Sequence, residues 1–331
     1  MKDNKIGRRT KFRWVAFAMV LTLFFVSMVH STAYAKKIPS INSIQNKADI
    51  ITLIKQYDKD GAYLTEKIMK NDDSFYNFLK IVGYVNDNQR TIDTLDTVVH
   101  EAFHEYAIPR YSNSKEYKNG ERIYVGDKKT VNVKFKPVFY TSEMADSVPQ
   151  RCRATYYNYS GGDRFAVYIR DEGGGMRSNW QGVYGLLNEY AGYCYGLNDT
   201  ICLYDYRDKY PDTLDTWESF IQNGENDRLA YIEFKYYILH YLRYAKEHHP
   251  ADYKTIMKDA KFKRAYSLID SRFSKEVKQY EKQLLSVRKK LKAAGHSYPA
   301  KKLILRKQYN AMEKEIKKSA YASIQKMLTQ N

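Results

Sequence analysis

The chain carries only three cysteines, Cys152, Cys194 and Cys202, and no Cys-x-x-Cys pair among them. No such pair therefore points to a thiolate metal site or a dithiol redox motif. Beyond residue 35 no apolar stretch reaches the ~20 residues that a membrane-spanning helix needs. No internal repeat and no nucleic-acid-binding motif is visible, so nucleic acid is not an expected partner. What the sequence has in quantity is core-forming material: 44% of its 331 residues are hydrophobic, enough for one large or two modest domains. Tyrosine, with 32 copies, serves packing and polar bonding at once and selects no function by itself.

Residues 1–35 stand apart. Lys2, Lys5, Arg8, Arg9, Lys11 and Arg13 form a basic head, Trp14 to Val29 is an almost uncharged apolar run, and Ala33-Tyr34-Ala35 places small residues where a signal peptidase reads. The expectation is a cleaved secretory signal at 1–35 and a secreted or surface-associated product. An uncleaved anchor is the rival reading, disfavoured by the shortness of the apolar run. In an exported chain, three cysteines leave at most one bridge, and Cys194 with Cys202 is one possible pairing.

The net charge of +17 is uneven: residues 1–35 carry +5, residues 243–331 carry +15, and the middle is at −3. The basic tail reads as helix. Phe273, Val277, Tyr280, Leu284, Val287 and Leu291 recur at gaps of four and three, Gly295 and Pro299 interrupt, and Leu305, Tyr309, Met312 and Ile316 resume the spacing. This predicts an antiparallel helical hairpin within a basic region at 246–331. Its lysines and arginines form either a solvated face or a docking face for an anionic cell-surface polymer or lipid headgroups.

Between these ends lies a domain expected at 36–245. Ile50-Ile51-Leu53-Ile54 and Phe75-Phe78-Leu79 suggest a helical lead-in, while alternation from Arg122 to Phe139 around Gly126-Asp127 predicts a β-hairpin. Phe165, Val167 and Ile169 alternate and predict a further strand at 164–170, running into a loop with Gly173-Gly174-Gly175. After Gly182 a helix resumes through Asn188-Glu189-Tyr190-Ala191-Gly192-Tyr193. The fold class expected is α+β and mostly helical, with a small antiparallel sheet.

Val98-Val99-His100-Glu101-Ala102-Phe103-His104 reads H-E-x-x-H. Asp93 and Asp96 suit a helix start, and Leu95, Val99, Ala102, Phe103 and Tyr106 supply an inward face. On that helix His100 and His104 project to one side, close enough to share a zinc ion. Glu101, turned by about 100°, can reach a metal-bound water as general base. A metzincin would carry Gly three and His six residues past His104, where this chain has Ala107 and Arg110, and the aspartate-type G-T-x-D pattern is also missing.

The chain resembles the gluzincin metalloproteases, whose H-E-x-x-H is completed by a glutamate from a second helix, often in an Asn-Glu pair. It is also similar to uncharacterised exported bacterial proteins with a comparable tyrosine-rich helix. The resemblance rests on the His100–His104 motif and on Asn188-Glu189. It implies a zincin-like core, one zinc ion, Glu189 as third ligand, and a peptide or protein substrate. Thermolysin-like enzymes place an acid four residues past that glutamate to orient a ligand histidine, and here the position is Tyr193. The resemblance also suggests a Tyr or His as oxyanion donor, for which Tyr193 and His240 are candidates. His240, in the large-residue stretch Tyr236 to Tyr241, equally fits a packed core histidine. Three functions follow: an exported zinc peptidase, a surface-binding protein with a non-catalytic metal site, and a zinc amidase of cell-wall peptides.

Overall fold

The computed structural model describes residues 52, 54–69, 92–108, 119–153, 164–171, 176–296 and 306–330. The signal-like segment, Ile50, Ile51, Leu53, the Phe75-Phe78-Leu79 group, Gly173–Gly175, Pro299 and Leu305 lie outside the described residues. Eight helices of eight residues or more and one hairpin organise the rest: α1 (Lys59–Met69), α2 (Leu95–Ala107), β1 (Gly120–Gly126), β2 (Lys129–Lys134), α3 (Val183–Cys202), α4 (Leu214–His248), α5 (Pro250–Lys258), α6 (Ala260–Ala293), α7 (Arg306–Ile316) and α8 (Ser319–Thr329). The molecule is mostly helical with one two-stranded antiparallel sheet, as its sequence suggests.

Helix α3 is the axis of the packing. Of its residues all but Asn198, Ile201 and Cys202 are buried, which is the signature of a helix enclosed on every side. Helix α2 lies along one face of α3, while α4 and α6 cover others. Leu95, Val98, Val99, Ala102, Phe103 and Tyr106 form the buried stripe of α2. Helix α4 starts where the Thr213 side chain accepts from the Thr216 N–H, and α6 where Asp259 accepts from the N–H groups of Lys261 and Phe262. At its far end Gly295 takes φ +80, and bonds from Gly295 N to Lys292 O and from His296 N to Leu291 O close a Schellman turn.

The hairpin turns at Asp127 and Lys128, both at positive φ, as a two-residue type I′ loop requires. It is held against the helices by tyrosines: Tyr106 bonds Thr130 at 2.9 Å, Tyr124 donates to Asp60 at 2.6 Å, and Tyr195 donates to the Tyr124 carbonyl at 3.0 Å. The strand expected at 164–170 is instead a helical turn, α at 164–165 and π over Ala166–Arg170. Ala166 and Tyr168, the residues between the alternating apolar ones, are buried as well, so the apparent period of two does not mark one wet and one dry face.

The tail also departs from a simple hairpin. Its second arm breaks at Lys317-Lys318 into α7 and α8, both of which lie on α4, and α8 also touches α6. The expected boundary near residue 245 falls inside a continuous apolar cluster that runs from Ile54 to Leu328. The Cys194–Cys202 pairing is ruled out: both sit on α3, separated by about 12 Å of helical rise, whereas a bridge needs Cα atoms within about 7 Å. All three cysteines are free, and the Cys194 thiol donates to Glu276.

One end of the interior is crowded with carboxylates: Asp58, Asp96, Asp199, Asp227 and Glu276 are all buried. Both oxygens of Asp199, and one each of Asp58 and Asp227, have no hydrogen-bond partner among the described residues. Burial pushes Asp58 up to about 6 and Asp96 and Glu276 up to about 7, and holds Asp199 and Asp227 well above the carboxylate range, against the pull of nearby Arg207, Arg272 and Arg164. Between the ordinary value near 4 and the raised one, the folded chain binds protons that the unfolded chain has released, so stability rises as pH falls through that window. The metal-free chain, kept in chelator, should therefore melt at a higher temperature near pH ~6 than near pH ~8. Asp199→Asn should raise the midpoint at the higher pH, by roughly 1–3 kcal/mol in unfolding free energy. A lower midpoint for the variant in calorimetry would contradict this reading of the interior.

Candidate metal centre

His100 and His104 sit one turn apart on α2 and face α3. Room for them comes from Gly192: a Cβ there would lie 3.1 Å from Cε1 and 3.2 Å from Nε2 of His100, and 3.2 Å from Cε1 of His104. One turn on, a Cβ at Gly196 would lie 3.3 Å from the Asp96 carbonyl oxygen. Glycine at both positions lets the two helices approach backbone to side chain, and the imidazoles fill the gap.

The three predicted ligands converge. His104 Nε2 is 2.8 Å from His100 Nε2, and Glu189 Oε2 is 3.5 Å from the former and 3.8 Å from the latter. Two donors on one tetrahedral zinc stand about 3.3 Å apart, so these separations bracket what one ion needs. Among the described residues this is the group of histidine and acid side chains whose ligand atoms all lie within 4.8 Å of one another, and it could hold a metal ion. Two imidazoles and one carboxylate suit zinc, and a three-residue set leaves a further position for water.

Asn188, the neighbour of Glu189, supplies the orientation that Tyr193 does not. Its Oδ1 lies 2.6 Å from His104 Nδ1, which holds a proton on Nδ1 and leaves Nε2 as the nitrogen turned toward His100 and Glu189. The Asn188 amide is fixed in turn, donating at 2.9 Å to the buried Glu121 on β1. The hairpin thus acts on the site through Glu121, Asn188 and His104.

The electrostatics of the pair are asymmetric. Burial, the positive His104 and Arg164 drive His100 well below the ordinary histidine value. Burial also opposes a charge on His104, but the carboxylates of Glu189 and Glu101 and the bond to Asn188 outweigh it and bring His104 up to about 9. One positive charge is therefore held between two imidazoles and a carboxylate, the place a cation would take. Glu101 is half-buried, and its charge acts on His104.

Tyr193 packs edge-on against the His100 ring, with centroids 4.5 Å apart, and its hydroxyl is in hydrogen-bond reach of Arg164 and Tyr168. Arg164 is buried, lies over the Tyr193 ring at 4.7 Å, and donates to Glu233 at 2.7 Å. His240 goes elsewhere. Its ring nitrogens meet Ser147 Oγ and the Tyr321 hydroxyl, each at 2.8 Å, and burial together with Arg243 lowers it to about 4. It ties α8 to α4, and none of its hydrogen-bond partners belongs to the His100 cluster.

Sequence reading left Asn188, Glu121, Gly192, Arg164 and Tyr168 without roles. Two signals were available, the polar neighbour of Glu189 and the glycines four apart in a helix, where each costs about 1 kcal/mol relative to alanine. Glu121 and Arg164 reach the site only through tertiary packing.

Compared with protein-family models, curated proteins and solved structures, the chain matches none.

Asn188→Ala should weaken zinc binding about 10- to 100-fold by releasing the His104 ring. His240→Asn should leave affinity within about twofold, since its bonds serve α8 and not the cluster. Competition titration against a chromogenic chelator measures both, and equal losses would contradict the assignment.

Proposed function

We propose that the chain is an exported zinc-dependent peptidase of gluzincin type. The observation that carries this reading is the meeting of His100 and His104 on α2 with Glu189 on α3, with Glu101 beside them and His104 oriented by Asn188. A bound zinc ion supplies Lewis acidity, lowering the pKa of a bound water toward 7 and stabilising a developing oxyanion.

The remaining roles belong to side chains. In this reading Glu101, whose charge already acts on His104, takes the proton of the attacking water on its carboxylate and returns one to the leaving amine. Asn188, backed by Glu121, keeps His104 in the ligating tautomer. The Tyr193 hydroxyl, held by Tyr168 and the fixed charge of Arg164, is the donor best supported for the oxyanion, because its ring packs against His100. His240 has no part in this scheme. The peptide substrate, the secretion and the zincin-like core follow from the motif, the signal-like segment and the resemblance.

Glu101→Gln should retain zinc while peptide hydrolysis falls by about a hundredfold or more. Glu189→Gln should lose both. Elemental analysis alongside cleavage of a labelled unfolded protein gives the two readouts, and full activity in the Glu101 variant would sink the peptidase reading.

A further inference from the structure

Helix α6 has two faces that do different things. Its buried stripe, from Phe262 through Phe273 to Leu291, packs into the core. On the other side Lys275, Lys278, Lys282, Lys289 and Lys292 are exposed, spaced by threes and fours once Leu285 is counted among them. Lys261 and Arg264, both exposed, continue the line toward the helix start. From Lys261 to Lys292 the ridge is about 47 Å long, at 1.5 Å per residue.

Of the acids on α6, only Glu281 has an exposed side chain, at 45%, and it is paired with Arg228. The acids of α6 are occupied elsewhere: Asp270 bonds Lys235 and Tyr190, Glu276 bonds Arg272, and Glu281 bonds Arg228. None of the seven ridge cations is in an ion pair among the described residues. Two large apolar side chains share the face, Leu268 at 40% and Leu285 at 57% exposure. A soluble polyanion rewards the cations and does nothing for the leucines, whereas the boundary between headgroups and acyl chains accommodates both.

The ridge also points away from the candidate metal centre. Asn188, Glu189 and Gly192 face α2, while Tyr190 and Cys194, on the other side of α3, bond Asp270 and Glu276 of α6. A surface touching the outside of α6 is thus separated from His100 by the thickness of α6 and α3. We propose that the exposed ridge of α6 docks the protein on the surface of an anionic lipid bilayer, leaving the His100 centre facing away from it. This proposal is independent of the peptidase reading, since zinc binding neither requires nor reports it.

The test is vesicle co-sedimentation of the full chain. The readout is the ratio of partitioning on vesicles of about one-third phosphatidylglycerol in phosphatidylcholine to partitioning on phosphatidylcholine alone, compared between variants that share the same basic and apolar N-terminal segment. A ratio of about tenfold or more is expected, falling with added salt as the ~8 Å screening length of physiological buffer shortens. Lys278→Glu with Lys282→Glu and Lys289→Glu should lower the ratio about fivefold or more from the wild-type value while the melting midpoint stays put. Lys59→Glu with Lys246→Glu, away from the ridge, should leave it unchanged. Leu268→Ser with Leu285→Ser should weaken anionic binding about threefold or more. A ratio near one for the wild-type chain, or its persistence in the triple variant, overturns the proposal. Unchanged binding in the leucine variant with full competition by soluble polyphosphate also overturns it, in favour of a polyanion.

Discussion

Gly192 and Gly196 set how closely α2 can lie on α3, and the candidate centre depends on that distance. A side chain at Gly192 would press on both imidazoles, with its Cβ 3.1–3.2 Å from their ring atoms, and they would have to give by a few tenths of an ångström. Without their inward position, Glu189 has nothing to complete and Asn188 nothing to orient. Each helical glycine costs about 1 kcal/mol relative to alanine, and enclosing α3 on nearly all sides offsets that cost. The constraint reaches the sheet as well, because Glu121 bonds the Asn188 amide from the hairpin.

The interior around α3 contains many buried polar groups, and tyrosine is one reason it holds together. Tyr190, Tyr195, Tyr241 and Tyr280 bury their rings and spend their hydroxyls on Asp270 or on backbone carbonyls in other segments. Each joins two distant stretches of chain by packing and by a directed bond. Asp58, Asp199 and Asp227, buried beyond Gly196, are the opposite case: some of their oxygens find no donor among the described residues, so protons carry the compensation that tyrosines supply elsewhere.

Much of this organisation was legible in the residues, where a local pattern and the tertiary outcome agree. The H-E-x-x-H spacing needs only a helix to bring His100 and His104 together, and the seam of α6 needs only one dry face. Glu189 came from a resemblance, and it lies within reach of both histidines. Legibility ended where packing overrode pattern. Residues 164–170 alternate like a strand, but Ala166 and Tyr168 are buried along with Phe165 and Ile169, and the segment winds into a π turn that brings Arg164 and Tyr168 beside Tyr193. His240 carries the chemistry of a site residue, yet its position is fixed by α8, which no local signal ties to α4. The orienting partner of His104 was sought four residues past Glu189 and lies one residue before it.

Two helices that approach closely at Gly192 and Gly196 bring together nitrogen and oxygen ligands that could hold one metal ion, which we propose is zinc. Zinc K-edge absorption spectroscopy on the full chain tests it most directly. The account predicts one tightly held zinc per chain, scattering from two imidazoles and light oxygen donors, with no sulfur in the first shell. A chain that retains no zinc after loading and dialysis, or a first shell containing cysteine sulfur, would contradict it.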